Sequence, residues 1–377
     1  MNCFGKNAST GLPVEIELGA TIVGVAQSPG FANLYLAPGF IDIQVNGFAG
    51  VDYNDPSAPH EEIARSINVL FSTGVTRFYP TVVTGSPEDM RGALRNLARA
   101  REALPAGDAM DGFHVEGPHI SPEDGSRGAH PRRWVRKPDF EEFLRWQDAA
   151  GGRVRLVTVA PEWPEAPGYV QKLVERGVAV SIGHTQATGE QIAAAASAGA
   201  TLSTHLGNGA PMLLPRHPNF IWHQLAEDRL MAGFIGDGIH LDASFLKAAI
   251  RAKGLDRSVL VTDASAPAGA TPGRYQLGEQ PVELTPDNRV VLLGTDKLAG
   301  SALRMDRGVE NLMRLAGLSL ADAVRMATTN SARASRVPGR AQGLVPGERG
   351  DLIQFRFDPS ARRIEVVGTW LSGRKVF

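Results

Sequence analysis

Gly112-Phe113-His114-Val115-Glu116-Gly117-Pro118 reads as a short apolar strand that ends in a carboxylate and is stopped at once by Gly-Pro. A charge at the end of a buried strand is costly unless something pairs with it. A lone Glu in that place is ordinarily answered by an Arg or by a backbone turn. In this chain the event recurs, with other polar residues in its place. FIDIQVNG (Phe40–Gly47) ends in Gln44 and Asn46, VAVSIGHT (Val178–Thr185) in His184 and TLSTHLGN (Thr201–Asn208) in His205. LMAGFIGDG (Leu230–Gly238) ends in Asp237, with His240 close behind, and SVLVTDAS (Ser258–Ser265) ends in Asp263.

Working outward, each of these strands alternates with a helical pattern. Helices are expected at Glu61–Thr73, Pro87–Leu104, Pro138–Ala149, up to Arg176, at Gly189–Ala198, before Leu230 and at Phe245–Lys253. VTRFYPTVV (Val75–Val83) and VRLVTVAPE (Val154–Glu162) supply the remaining strands, making eight in all. Near-continuous apolar strands alternating with helices imply parallel strands covered on both faces, and eight of them close a (β/α)8 TIM-like barrel. We expect that barrel over residues 38–339, with a hairpin insertion near 274–294 and a closing helix at Leu318–Ala327 followed by Asn330-Ser331-Ala332. The short strands of both termini (VEIEL and TIVGVA, with a Gly-Phe turn; LIQFRF and RIEVVGTW) predict a small β-sandwich domain built from residues 1–37 and 340–377. The class is α/β.

Composition narrows the function. With 39 Lys and Arg against 40 Asp and Glu the net charge is -1, so no field favours nucleic acid or an anionic membrane. No apolar run reaches the roughly 18–20 residues of a membrane span, and the N-terminus carries no signal-peptide pattern, so a cytoplasmic protein is expected. The single cysteine, Cys3, excludes a disulfide framework and a thiolate metal cluster, and a frayed terminus is expected around it.

In a barrel of this kind, chemistry sits at the C-terminal ends of the strands. Glu116, His184 and His205 on three nearby strands make a three-ligand set with an open position, which suits a catalytic Zn²⁺. Asp263 is then the strand-end carboxylate left to act as base. Were all four groups ligands, the site would be closed and structural.

These residues also lie in motifs. APGFIDIQVNG (Ala37–Gly47), FHVEGPHIS (Phe113–Ser121), SIGHTQAT (Ser181–Thr188), THLGNGAP (Thr204–Pro211), DGIHLD (Asp237–Asp242), LVTDASAPAG (Leu260–Gly269) and LAGSALRMD (Leu298–Asp306) occur in that order. Over nearly its full length the chain resembles the amidohydrolase superfamily, and within it the N-acetylglucosamine-6-phosphate deacetylase family. The resemblance implies that Glu116, His184 and His205 bind the metal, that Asp263 is general base and later acid, and that His240 polarises the substrate carbonyl. Gln44 and Asn46 stand where many amidohydrolases carry the histidines of a second metal site. Because amides are poorer ligands than imidazole, one divalent ion per subunit is expected, Zn²⁺ first, then Fe²⁺, Co²⁺ or Mn²⁺. By position, Ala129, His130, Asn208, Gly209, Arg216, His240, Leu298, Ala299 and Gly300 would contact substrate, Arg216 through its phosphate.

The implied activity is metal-dependent hydrolysis of the N-acetyl group of an amino sugar, N-acetylglucosamine 6-phosphate to glucosamine 6-phosphate and acetate. THLGNGAP replaces the family's usual THLFNAM, and the loop Met212–Trp222 is unusually apolar. Those departures keep two alternatives open: another N-acyl sugar or cyclic amide as substrate, or an inactive binding homologue. Family members are often homodimers, and that is the expectation here. His119, His217 and His223 are read as solvated or loop histidines.

Overall fold

The computed structural model describes residues 1–29 and 33–377. Eight parallel strands form one sheet. In chain order they are β1 (Phe40–Val45), β2 (Val75–Val83), β3 (Phe113–Glu116), β4 (Val154–Val159), β5 (Ala179–Ile182), β6 (Leu202–Ser203), β7 (Met231–Ile235) and β8 (Ser258–Val261). Between them run α1 (His60–Ser72), α2 (Pro87–Ala103), α3 (Phe140–Ala149), α4 (Ala166–Glu175), α5 (Gly189–Ser197), α6 (Phe220–Ala226) and α7 (Ala243–Lys253). The eighth strand meets the first through a parallel bridge between Val45 and Ala264, and the Asn46 N–H donates to the Ala264 carbonyl at 2.6 Å. The barrel is closed.

The helices begin where local chemistry tells them to. Ser86 accepts from the Asp89 N–H with Pro87 at the first turn of α2, and Thr188 and Gln191 form a reciprocal capping box on α5. Their apolar faces (Leu94 and Leu97, Ile192 and Ala195) lie in the core outside the barrel. Inside it, Ile41, Ile43, Tyr79, Leu156, Leu202, Ile235, Val259 and Val261 fill the space. β3 contributes His114 instead, whose ring meets Thr158 Oγ1 at 2.8 Å and Thr81 Oγ1 at 3.4 Å. Burial pushes its pKa down to about 4, so it is neutral.

Both chain ends enter a seven-stranded sheet, in the spatial order Arg374–Lys375, Arg363–Leu371, Leu352–Asp358, Leu34–Pro38, Asn2–Asn7, Pro13–Leu18 and Ile22–Gln27. Cys3, Ile16, Leu18, Ile22, Leu36, Leu352 and Trp370 form its core. The terminus around Cys3 is therefore not frayed: the strand Asn2–Asn7 pairs with Pro13–Leu18, and the thiol side chain is buried. The expected Gly-Phe turn falls on residues 30 and 31, outside the described residues.

The insertion is larger than a hairpin. Gly273–Leu277, Gln280–Leu284 and Val290–Leu292 form a three-stranded antiparallel sheet. Its third strand lies in RVVLLG, where a turn at Pro286–Asn288 splits a stretch that reads as one arm. After it come α8 (Met305–Asn311), a π-helical turn (Leu312–Ala316), α9 (Leu320–Met326) and α10 (Thr329–Ser335). Met305–Ala316 carried no helical expectation.

Candidate active site

A cleft opens at the C-terminal mouth of the barrel. Glu116, His184, His205, His240 and Asp263 all line it, as do Asn46, Ala129, His130, Asn208, Gly209, Leu298, Ala299 and Gly300. The strand-end residues thus converge on one space.

Three of their donor atoms are in mutual contact. His205 Nε2 lies 2.9 Å from Glu116 Oε1 and 3.0 Å from His184 Nε2, and His184 Nε2 lies 3.3 Å from the same Glu116 oxygen. His184 Nδ1 donates to the Ser126 carbonyl at 2.9 Å, which leaves Nε2 with its lone pair facing Glu116 and His205. Burial alone would raise the Glu116 pKa, but the two imidazoles hold it well below the ordinary carboxylate range. Their counterpart, His205, is raised by Glu116 despite its own burial. Four-coordinate donors about 2.0–2.1 Å from an ion stand about 3.3 Å apart, so this triangle matches a metal site with modest adjustment. A second grouping, Glu116 with His130 and His184, is looser, its atoms lying within 4.8 Å of one another. The tighter triangle is the better site, because His130 Nδ1 is already engaged by Thr84 Oγ1 at 2.8 Å.

The backbone is strained at this point. His184 (φ +49°), His205 (φ +25°) and Asp263 (φ +51°) are all in the left-handed region that side chains avoid. Each is the residue that turns the chain off its strand while aiming its side chain into the cleft.

Gln44 and Asn46 act differently from one another. The pairing of β1 with β2 slips between Asp42 and Val45. After Ile41 and Ile43, that irregularity turns Gln44 inward as well. Its Nε2 donates to Glu116 Oε1 at 2.9 Å, while its Oε1 accepts from Thr204 Oγ1 at 2.9 Å. Asn46 Nδ2 donates to Asp263 Oδ1 at 2.8 Å. Burial, with Glu116 nearby, pushes the Asp263 carboxyl up to about 6. Across the cleft, Asp237 Oδ2 meets His240 Nδ1 at 2.6 Å, and its Oδ1 accepts from the backbone N–H groups of Ile239 and His240. The Asp237 hydrogen bonds outweigh its burial and keep it ionised.

One expected residue lies away from the cleft, and one expectation of exposure fails. Arg216 is exposed in the loop after β6 and does not line the cleft of its own chain. Beside it, Met212 and Leu213 are almost wholly exposed. His119 is no solvated histidine. It is fully buried between Trp146 and Tyr169, with ring centroids 5.4 and 5.2 Å away, and burial lowers its pKa to about 4. The Trp and Tyr carried by the two helices that follow, α3 and α4, were the available signal. His217 is exposed, and His223 is half-buried against α5. The sequence reading also missed Leu277, Glu279 and Gln280, which line the cleft from the tip of the inserted sheet. Nothing at a strand end points to them.

Fold and site together define a hydrolase-type (β/α)8 barrel with a Glu-His-His cluster and an acid–base pair beside it. The amidohydrolase family model matches residues 35–376. N-acetylglucosamine-6-phosphate deacetylase of Bacillus subtilis is 34% identical over 325 residues, 85% of this chain and 81% of the relative. N-acetylgalactosamine-6-phosphate deacetylase of a Shewanella species is 32% identical over 352 residues, 91% of this chain and 83% of the relative. Among solved structures, N-acetyl-D-glucosamine-6-phosphate deacetylase of Mycobacterium smegmatis superposes with a TM-score of 0.89 at 31% identity, covering 100% of both chains. The chain belongs to the amidohydrolase family, in the branch of the amino-sugar-phosphate deacetylases. It is an amidohydrolase acting on a linear amide, and its Glu/His cluster fits a divalent metal ion. Among the described residues no helix is long and apolar enough to cross a membrane.

Proposed function

We propose that this enzyme removes the acetyl group of N-acetylglucosamine 6-phosphate, giving glucosamine 6-phosphate and acetate. The observation that carries the reading is the meeting of Glu116, His184 and His205 with Asp263 and His240 in one cleft, in a chain whose relatives include deacetylases of that substrate. One ion held by Glu116, His184 and His205, assigned as Zn²⁺ ahead of Fe²⁺, Co²⁺ or Mn²⁺, would polarise the amide carbonyl and lower the pKa of water towards ~7. Gln44 presents an N–H rather than a lone pair to Glu116, which favours one ion over two.

Asp263, ionised and oriented by Asn46, takes the proton of the attacking water. His240, held by Asp237, donates to the carbonyl oxygen as it gains charge. Asp263 then passes its proton to the departing amine as the C–N bond breaks. Ala129, His130, Asn208, Gly209, Leu298, Ala299 and Gly300 form the walls against which the sugar lies. A homodimer working in the cytoplasm completes the reading.

Amine release from metal-loaded protein tests it, with the 6-phosphates of N-acetylglucosamine and N-acetylgalactosamine as rival substrates. Asp263→Asn is expected to bind metal normally and to lose about 10²–10⁴ in kcat. Release from neither sugar by the wild type, or near-normal turnover by the variant, defeats the proposal.

A further inference from the structure

Glu116, His184 and His205 come from the ends of β3, β5 and β6. β4 lies between β3 and β5 in the sheet, yet among the described residues neither it nor the loop that follows it lines the cleft. That loop, Ala160-Pro161-Glu162-Trp163, instead bonds to the turns on both sides of it. Towards β3, the Ala160 N–H donates to the His119 carbonyl at 2.8 Å, and Trp163 Nε1 donates to the Ile120 carbonyl at 3.0 Å. Towards β5, one carboxylate makes the contacts. Glu162 Oε1 accepts from the Gln186 N–H at 3.0 Å, and Glu162 Oε2 accepts from the Thr185 hydroxyl. Thr185 Oγ1 in turn accepts from the Ala187 N–H at 2.9 Å.

The turn held in this way is the one that aims His184. With φ +49°, His184 sits in a conformation that a side chain leaves unless its surroundings impose it. The Ser121 N–H donates to the His184 carbonyl at 2.9 Å, and His184 Nδ1 donates to the Ser126 carbonyl at 2.9 Å. Those bonds hold His184 itself. Beyond it, Ser126 Oγ adds a longer bond to the Thr185 carbonyl, at 3.2 Å. Among the described residues, Glu162 is the one side chain outside residues 185–187 that accepts from their N–H and hydroxyl groups.

Resting on the reading that Glu116, His184 and His205 hold one ion, we propose that Glu162 is a positioning residue for the metal. It touches neither ion nor substrate. It clamps the turn after His184 so that Nε2 stays directed at Glu116 and His205, and β4 serves the site as a brace between two ligand-bearing turns.

A carboxylate can act by its charge or by its reach, and three variants separate the two. Glu162→Gln keeps the length and one acceptor oxygen, Glu162→Asp keeps the charge but falls a methylene short, and Glu162→Ala keeps neither. Gln147→Ala is the control for stability. Gln147 braces the start of β4, away from the cleft, through two bonds of 3.0 Å to the Val154 backbone. Zn²⁺ affinity, read by competition against a chelator, should fall about tenfold in Glu162→Ala and Glu162→Asp, and less than about threefold in Glu162→Gln and Gln147→Ala. The visible absorption of Co²⁺-loaded protein reads ligand geometry rather than stability. It should change in Glu162→Ala and stay that of the wild type in Gln147→Ala, although thermal melting of the metal-free protein falls in both. Equal Zn²⁺ affinity in Glu162→Ala and Gln147→Ala, an unaltered Co²⁺ spectrum in Glu162→Ala, or Glu162→Gln as weak as Glu162→Ala overturns the positioning role. Wild type that binds no Zn²⁺ defeats the metal reading, and this proposal with it. Wild type that binds Zn²⁺ but releases no amine removes the deacetylase activity alone, because the affinities and the spectrum still decide the role of Glu162.

Discussion

Gly209→Ala isolates how tightly the loop after β6 fixes the metal cluster. Gly209 has φ +57°, and a Cβ there would come within 2.8 Å of His184 Nδ1, 3.1 Å of Cε1 and 3.3 Å of Cγ. Ordinary contact begins near 3.4 Å, so the imidazole must retreat by about 0.6 Å (3.4 less 2.8). That shift strikes the nitrogen that donates to Ser126, and it moves Nε2 by several times the roughly 0.2 Å within which metal–ligand distances hold. The backbone adds about 1–2 kcal/mol for a side chain in left-handed conformation. Gly152→Ala is the control, since it has φ +74° and nothing within 4 Å of its Cβ. Both proteins should lose about 1–2 kcal/mol of stability. Only Gly209→Ala should lose about 10–100-fold in metal affinity, the scale seen when a ligand's supporting contact is disturbed. Competition against a chelator, followed by metal analysis, reads the difference. Equal retention of metal by Gly209→Ala and Gly152→Ala would refute the claim that His184 is a ligand held by its surroundings.

Two further outcomes follow from buried carboxylates. Asp237→Ala removes the partner of His240 Nδ1 and the acceptor of two backbone N–H groups, so kcat should fall about 10²–10³ with little change in metal content; unchanged kcat would show that His240 needs no orientation. Asp42, fully buried and hydrogen-bonded to Thr262 and Gln44, has its pKa raised by burial to about 7, above an unfolded value near 3.9. A raised carboxyl stabilises the fold while it is protonated, and that contribution fades as pH climbs from about 4 through 7. Asp42→Asn should therefore flatten the decline in thermal stability over that range. Parallel wild-type and variant curves would place the titration elsewhere.

The barrel was legible because its signal is redundant. Eight apolar runs, all but the last followed by a 3.6-period helix, cannot be reconciled with another layer architecture, and single errors of boundary do not disturb the count. β6 shows the limit. Thr201–Asn208 reads as eight strand residues, yet only Leu202–Ser203 pair, because His205 already turns away with positive φ. A strand end that bends to aim a ligand looks apolar and regular in sequence. The misses at Cys3 and His119 share another cause: both were judged by residue type and position, whereas burial depends on what packs across from them. Trp370 and Leu36 cover the first; Trp146 and Tyr169 cover the second.

The site divides along the same line. Groups that hang from strand ends were found, since the fold itself brings strand ends together. Groups that reach the cleft from elsewhere were not. Glu279 and Gln280 arrive from an inserted sheet, and Thr84 enters by bonding to His130. Gln44 illustrates the case between. Its place at the end of β1 was evident, but its direction was not, because strict alternation after Ile41 and Ile43 turns it away from the barrel interior. The slipped register brings it to Glu116, and Thr204 then holds its carbonyl so that the amide N–H faces the carboxylate. One irregularity in β1 thus turns Gln44 into the cleft as a hydrogen-bond donor to Glu116. In the proposed reading, the charge of Glu116 would then serve one ion together with His184 and His205.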